Sequence, residues 1–168
     1  IGEIPLDPKD NDTDDDMLDD YDEARIYFTN PKDPDTDDDQ LLDGNETYGI
    51  FIESLNRTIK TDPKDRDTDD DGLTDYEEVS LGTNPTEIDT DGDLLSDYEE
   101  VKVYSTDPNT YDMDRDGLSD GDEILKYKTD PEDSDMDDDG LADYEEVMGI
   151  YIKGVGLRLT DPNATDTD

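Results

Sequence analysis

The sequence predicts a mostly irregular repeat array, a solenoid-like rod with short one-to-two-turn helices and two β-hairpin inserts, rather than a domain built around one core. Three observations predict it. A twelve-residue acidic pattern recurs in register six times along the 168 residues and begins a seventh time at Asp166. Only 29% of the residues are apolar and the formal net charge is −42, too little apolar surface and too much repulsion for an ordinary core. Two of the units are longer than the others by about nine residues, and both use the extra length for alternating apolar runs.

The pattern is clearest in Asp67 to Glu78, DTDDDGLTDYEE. Acids stand at loop positions 1, 3, 5, 9 and 12 (Asp67, Asp69, Asp71, Asp75 and Glu78), with Gly72 at position 6, where the chain must turn sharply. A hard divalent cation takes six to eight oxygens, and a tight loop supplies them from alternate side chains, a backbone carbonyl and a late carboxylate. The other copies keep all five acids. They are Asp12, Asp14, Asp16, Asp20 and Glu23; Asp35, Asp37, Asp39, Asp43 and Glu46; and Asp89, Asp91, Asp93, Asp97 and Glu100. Asp112, Asp114, Asp116, Asp120 and Glu123 form the fifth set, and Asp135, Asp137, Asp139, Asp143 and Glu146 the sixth. Asp166 and Asp168 fill positions 1 and 3 of a seventh loop. Calcium is the expected ion, at least one per complete repeat or two, and oxygen-only ligands disfavour transition metals.

The array reads as one tandem domain over residues 1–168. Its repeats are 7–28, 29–60, 61–82, 83–105, 106–128 and 129–159, with an incomplete seventh over 160–168. Each loop is preceded by Thr or Leu, then Asp or Asn, then Pro, as in Thr61-Asp62-Pro63. The acid or amide there is either a further ligand or a turn former. Position 7 is Leu in every loop (Leu18, Leu41, Leu73, Leu95, Leu118, Leu141), position 10 is Tyr in four, and position 13 is usually apolar. Thr74-x-x-Glu77 and Ser96-x-x-Glu99 are capping boxes and start short helices. A unit with so few apolar anchors cannot fold alone, so neighbours must stack.

The inserts are Tyr48 to Lys60, YGIFIESLNRTIK, and Met148 to Leu159, MGIYIKGVGLRL. Each reads as a hairpin, which either covers its own array or offers an edge to another strand. Pro31 and Pro131 lie 100 residues apart, which fits a four-unit superperiod. Non-glycine residues at position 6 (Met17, Gln40, Leu94) mark three loops as weaker or differently shaped, each at a cost of about 1 kcal/mol if a positive φ is required.

One ion per loop would bring the charge to about −30 and two to about −18, so binding and folding should be a single event. A salt-adapted acidic surface would scatter its acids instead of fixing them at loop positions. There is no Cys and no His, hence neither a disulfide framework nor a zinc site. Nucleic acid and anionic lipid would be repelled, and no apolar run approaches a membrane span. Nothing in the chain pairs a nucleophile with a base, so an enzyme is not expected.

On the motif D-x-D-x-D-G-L-x-D-x-x-E preceded by T-D-P, nearly the whole chain resembles the thrombospondin type 3 repeat, in its cysteine-free prokaryotic form. Position 7 rather than position 8 carries the apolar residue, which sets it apart from helix-loop-helix calcium hands and dockerins. The resemblance implies a chain wrapped around a string of calcium ions, with little regular structure. The expected role is an extracellular or cell-surface structural one. The filament or matrix subunit, with head-to-tail or hairpin-edge contacts between copies, stands ahead of a calcium-rigidified stalk or adhesion-protein spacer with flanking domains in a longer chain. Sequons at Asn11, Asn56 and Asn163 fit N-glycans on a secreted glycoprotein; a fourth, Asn45, lies inside loop 2.

Overall fold

The computed structural model describes residues 10–165. The start of the first repeat and the seventh-loop acids Asp166 and Asp168 lie outside the described residues. The chain divides into two compact units, one up to Ile88 and one from Asp89, with three complete loops in each. The division by three loops does not follow the 100-residue separation of the hairpins.

Every loop runs directly into a short helix: α1 (Asp20–Asp22), α2 (Asp43–Tyr48), α3 (Asp75–Leu81), α4 (Asp97–Glu99), α5 (Asp120–Asp122) and α6 (Asp143–Met148). Both capping boxes are formed, with Thr74 accepting from the Glu77 amide and Ser96 from the Glu99 amide. Strands β1 (Ile50–Ile52) and β2 (Arg57–Ile59) pair antiparallel after α2, as do β3 (Ile150–Ile152) and β4 (Gly156–Arg158) after α6.

Three of the helices do not stay α. After α1, α4 and α5 the chain widens into five-residue π turns, Glu23–Tyr27, Glu100–Tyr104 and Glu123–Tyr127. The cause is countable. From the position-12 Glu to the next Thr is five residues in the third repeat (Glu78 to Thr83) and six in the first, fourth and fifth (Glu23 to Thr29, Glu100 to Thr106, Glu123 to Thr129). One added residue in a helical turn is a π-bulge. Each π turn ends on a left-handed residue, Phe28, Ser105 or Lys128, where α3 ends on Gly82.

The apolar core is small. Leu18, Leu41, Leu73, Leu95 and Leu118 are buried, Leu141 half-buried. The position-10 tyrosines are not anchors, since Tyr21, Tyr76, Tyr98 and Tyr144 are all exposed. In the first unit, Ile52 and Ile59 of the β1–β2 hairpin are also buried; the Ser54 hydroxyl bonds the Gly82 carbonyl, and Arg57 pairs with Glu87 at 3.3 Å. That hairpin covers its own unit. In the second unit Tyr151, Ile152 and Leu157 stay exposed.

The loops share one backbone shape whatever stands at position 6. Met17, Gln40 and Leu94 take φ of 85°, 91° and 91°, in the range of Gly72, Gly117 and Gly140 at 109°, 111° and 98°. Position 4 is left-handed as well, at Asp15, Asp38, Asp70, Arg115 and Asp138, and it is there that loop 4 places Gly92. Loop 4 has therefore moved its glycine from one left-handed position to the other.

Candidate cation sites

Position 1 ties the loop's turn. Asp35 accepts from the amides of Asp39 and Gln40, Asp67 from Asp71 and Gly72, and Asp135 from Asp139 and Gly140. Position 5 gives one oxygen to the Leu amide at position 7, as Asp16 does to Leu18 at 2.7 Å and Asp93 to Leu95 at 2.8 Å. These bonds bring three carboxylates into one cluster. In Asp12–Asp14–Asp16, Asp35–Asp37–Asp39, Asp67–Asp69–Asp71 and Asp89–Asp91–Asp93, an oxygen from each lies within 4.8 Å of the others.

The second oxygen of position 5 crosses to the next repeat. Asp16 accepts from the Gly44 amide at 3.2 Å, Asp39 from Tyr76 at 3.0 Å, Asp93 from Gly121 at 2.6 Å and Asp116 from Tyr144 at 2.6 Å. Each donor is position 10 of the following loop, and its neighbour at position 9 is carried in with it. Asp16, Glu23 and Asp43, all buried, thus meet within 4.8 Å, two acids from loop 1 and one from loop 2. Asp43 was expected to serve its own loop; the structure sets it against the loop before. The close approach explains Gly44 and Gly121. A Cβ on either would stand 2.0 or 2.1 Å from the carbonyl oxygen of Asp16 or Asp93.

Position 9 also braces its own loop. Asp43 accepts from both the amide and the hydroxyl of Thr36, and Asp75 from both groups of Thr68. Where Met113 and Met136 replace the Thr, only the amide bond to Asp120 and Asp143 remains, and Oδ2 of each is buried without a donor.

The position-12 glutamates Glu23, Glu46, Glu78, Glu100, Glu123 and Glu146 are fully buried. Burying six carboxylates without cationic partners is prohibitive unless something neutralises them. Burial first, then the neighbouring acids, pushes Glu23 up to about 7, with Asp14 and Asp16 beside it. Glu100 is pushed up to about 9 by burial and then by Asp91 and Asp93, and Glu123 to about 8 by burial and then by Asp114. Glu46 rises to about 8 through burial, although Thr61 opposes the rise. Asp14 and Asp37 rise to about 6 and Asp91 to about 7, again through burial first.

The donor set fits a hard cation. Oδ2 of Asp37, Asp91 and Asp114 and Oε2 of Glu23, Glu46, Glu100 and Glu123 are buried with no hydrogen-bond donor, as an oxygen reserved for a metal would be. Loops 5 and 6 follow the same plan through Asp112, Asp114 and Asp116 and through Asp135, Asp137 and Asp139. In four of the turns the acid before Pro acts as a turn former. Asp62, Asp107, Asp130 and Asp161 each accept from the amide two residues on and are exposed.

Sequence reasoning missed the sharing of position 9 between repeats, because periodicity assigns an acid to a loop and says nothing of where the next loop lies. No helix is long and apolar enough to cross a membrane among the described residues.

The family description "Bacterial TSP3 repeat" matches three stretches, residues 67–87, 89–110 and 112–134. No curated protein matches the chain. Among solved structures, a "Biofilm associated protein - BSP domain" is 44% identical over a stretch covering 26% of this chain and 7% of that one, with a TM-score of 0.25. The chain spans only a small part of that protein. Residues 67–134 thus carry three repeats that match the bacterial TSP3 family, a calcium-binding class, and the flanking loops are built on the same acids and turns.

Proposed function

We propose that this chain is a calcium-dependent structural element of an extracellular or cell-surface assembly, in which the ions take the place of a hydrophobic core. The observation that carries the reading is the buried group Asp16, Glu23 and Asp43, drawn from two consecutive repeats. A divalent ion there would neutralise acids that otherwise repel and would fasten one repeat to the next. The ligands are then positions 1, 3 and 5 of one loop for one ion, and positions 5 and 12 with position 9 of the following loop in the same unit for another. In the first repeat Asp16 belongs to both the 1-3-5 cluster and the cluster shared with the second repeat, which favours more than one ion per repeat. No catalytic role is proposed for any residue.

Two forms of the role are open to one experiment. Cations shared between consecutive repeats stiffen a chain along its length, which favours a stalk or spacer. The exposed Tyr151, Ile152 and Leu157 of the second hairpin favour contacts between copies, as a filament or matrix subunit would need. Sedimentation velocity with millimolar calcium, followed by chelator, separates them. Compaction to a stable monomer supports the stalk, and growth into chelator-sensitive polymers supports the filament. Unchanged sedimentation on adding calcium contradicts the calcium reading itself.

A further inference from the structure

The threonine of the Thr-Asp/Asn-Pro turn has no part in the cation clusters, yet it reaches the same atom in four repeats. Thr29 Oγ1 donates to Glu23 Oε1 at 3.2 Å, Thr61 to Glu46 at 2.9 Å, Thr106 to Glu100 at 3.1 Å and Thr129 to Glu123 at 3.1 Å. Two different paths join the partners. In the first, fourth and fifth repeats a π turn intervenes; in the second, the whole β1–β2 hairpin separates partners fifteen residues apart in sequence. In the short third repeat, Thr83 is fully buried and donates instead to the Glu78 backbone carbonyl at 3.4 Å. Two unrelated local structures, the π turn and the β1–β2 hairpin, thus converge on one hydroxyl–carboxylate bond.

We infer that Thr29, Thr61, Thr106 and Thr129 are positioning residues for cation binding, each holding one oxygen of a buried glutamate so that the other faces the ion. In all four glutamates it is Oε1 that takes the hydroxyl, and Oε2 that is buried without a donor. The hydroxyl cannot replace the cation, because it neutralises no charge. It fixes the rotation of the carboxylate and favours its ionised form, as the outer-shell donors of metal sites do. The inference explains why the array tolerates a π-bulge or the β1–β2 hairpin at this point of the repeat, since both return the Thr hydroxyl to the Glu; after the β3–β4 hairpin Thr160 returns its amide instead, to the Glu146 carbonyl at 3.2 Å.

The inference rests on the calcium reading above, and the test keeps the two apart. In the full chain, the four threonines are changed together to Val (T29V, T61V, T106V, T129V) and, separately, to Ser, and each protein is titrated calorimetrically with calcium at neutral and at mildly acidic pH. The Val protein should bind the same number of ions with a half-saturating calcium concentration about ten- to hundredfold higher. Its affinity should also fall more steeply on acidification, because each glutamate has lost a donor to its charged form. The Ser protein should bind like the parent. Unchanged affinity and pH dependence in the Val protein, even with a lower melting temperature, overturns the positioning role, as does failure of Ser to restore binding. If the Val protein does not fold, T106V alone, at a half-buried site, is compared with T106S on the same terms. A parent chain that binds no calcium overturns the functional reading first, and the positioning role with it.

Discussion

At the scale of single residues, the loop is defined by two left-handed positions and by acids that cannot all remain charged alone. Gln40 and Leu94 occupy a conformation that glycine fills elsewhere, so Q40G or L94G should stabilise the calcium-loaded chain by about 1 kcal/mol, read as an upward shift of the chelator concentration at half-unfolding. Gly117 should tolerate no such exchange in reverse. It lies at φ 111°, and a Cβ there would meet the Tyr144 ring at 3.2 Å, so G117A should lower the same midpoint. The buried glutamates set a pH dependence of definite sign. Without calcium, Glu100 is held near 9 against an ordinary 4.5, so the folded chain binds more protons than the unfolded one between those values. Stability of the calcium-free chain should therefore rise as pH falls from about 9 towards 4.5. Calcium affinity should fall over the same window, since ion and proton compete for the same oxygens. Circular dichroism in chelator across that range checks the first half through the folded fraction, and a fall in that fraction on mild acidification would contradict it.

At the scale of elements, much was legible in the sequence. The capping boxes at Thr74 and Ser96, the leucines at position 7 and both hairpins stand where the pattern put them, because each depends on residues within one turn or one strand pair. The π turns were not foreseen, although a signal existed in the six-residue rather than five-residue spacing from Glu123 to Thr129. That spacing has meaning only once the Thr–Glu bond is known to close the turn. Deleting Tyr127 with Lys128→Gly gives the fifth repeat the spacing and terminal glycine of the third. The variant should replace the π turn by α-helix and keep its calcium stoichiometry, with stability within about 1 kcal/mol of the parent. Circular dichroism with a calcium titration tests this; loss of an ion would show that the added residue does more than bridge a gap. Helical spacing places the position-10 tyrosines beside Leu, yet their rings are exposed, and in Tyr76 and Tyr144 it is the backbone amide that matters, donating to the preceding loop.

At the scale of the whole molecule, the acids are an assembly device. The sequence revealed which residues are acidic and how often, and left open which loops they join, since contacts such as Asp16 with Gly44 span twenty-eight residues and follow from stacking alone. Consecutive repeats within each compact unit are linked in the same way: position 5 accepts a backbone bond from the next repeat, and position 9 comes with it. Glu23→Gln and Asp43→Asn should consequently be non-additive, with a coupling of about 0.5–3 kcal/mol in a double-mutant cycle although they belong to different loops. The most direct test is hydrogen exchange on the calcium-loaded D43N chain, resolved by peptide. Loss of amide protection should extend into residues 20–28 of the preceding repeat, where Glu23 has lost a partner in its cation site. Protection lost only within residues 35–48, with the preceding repeat unchanged, would contradict a site shared between repeats.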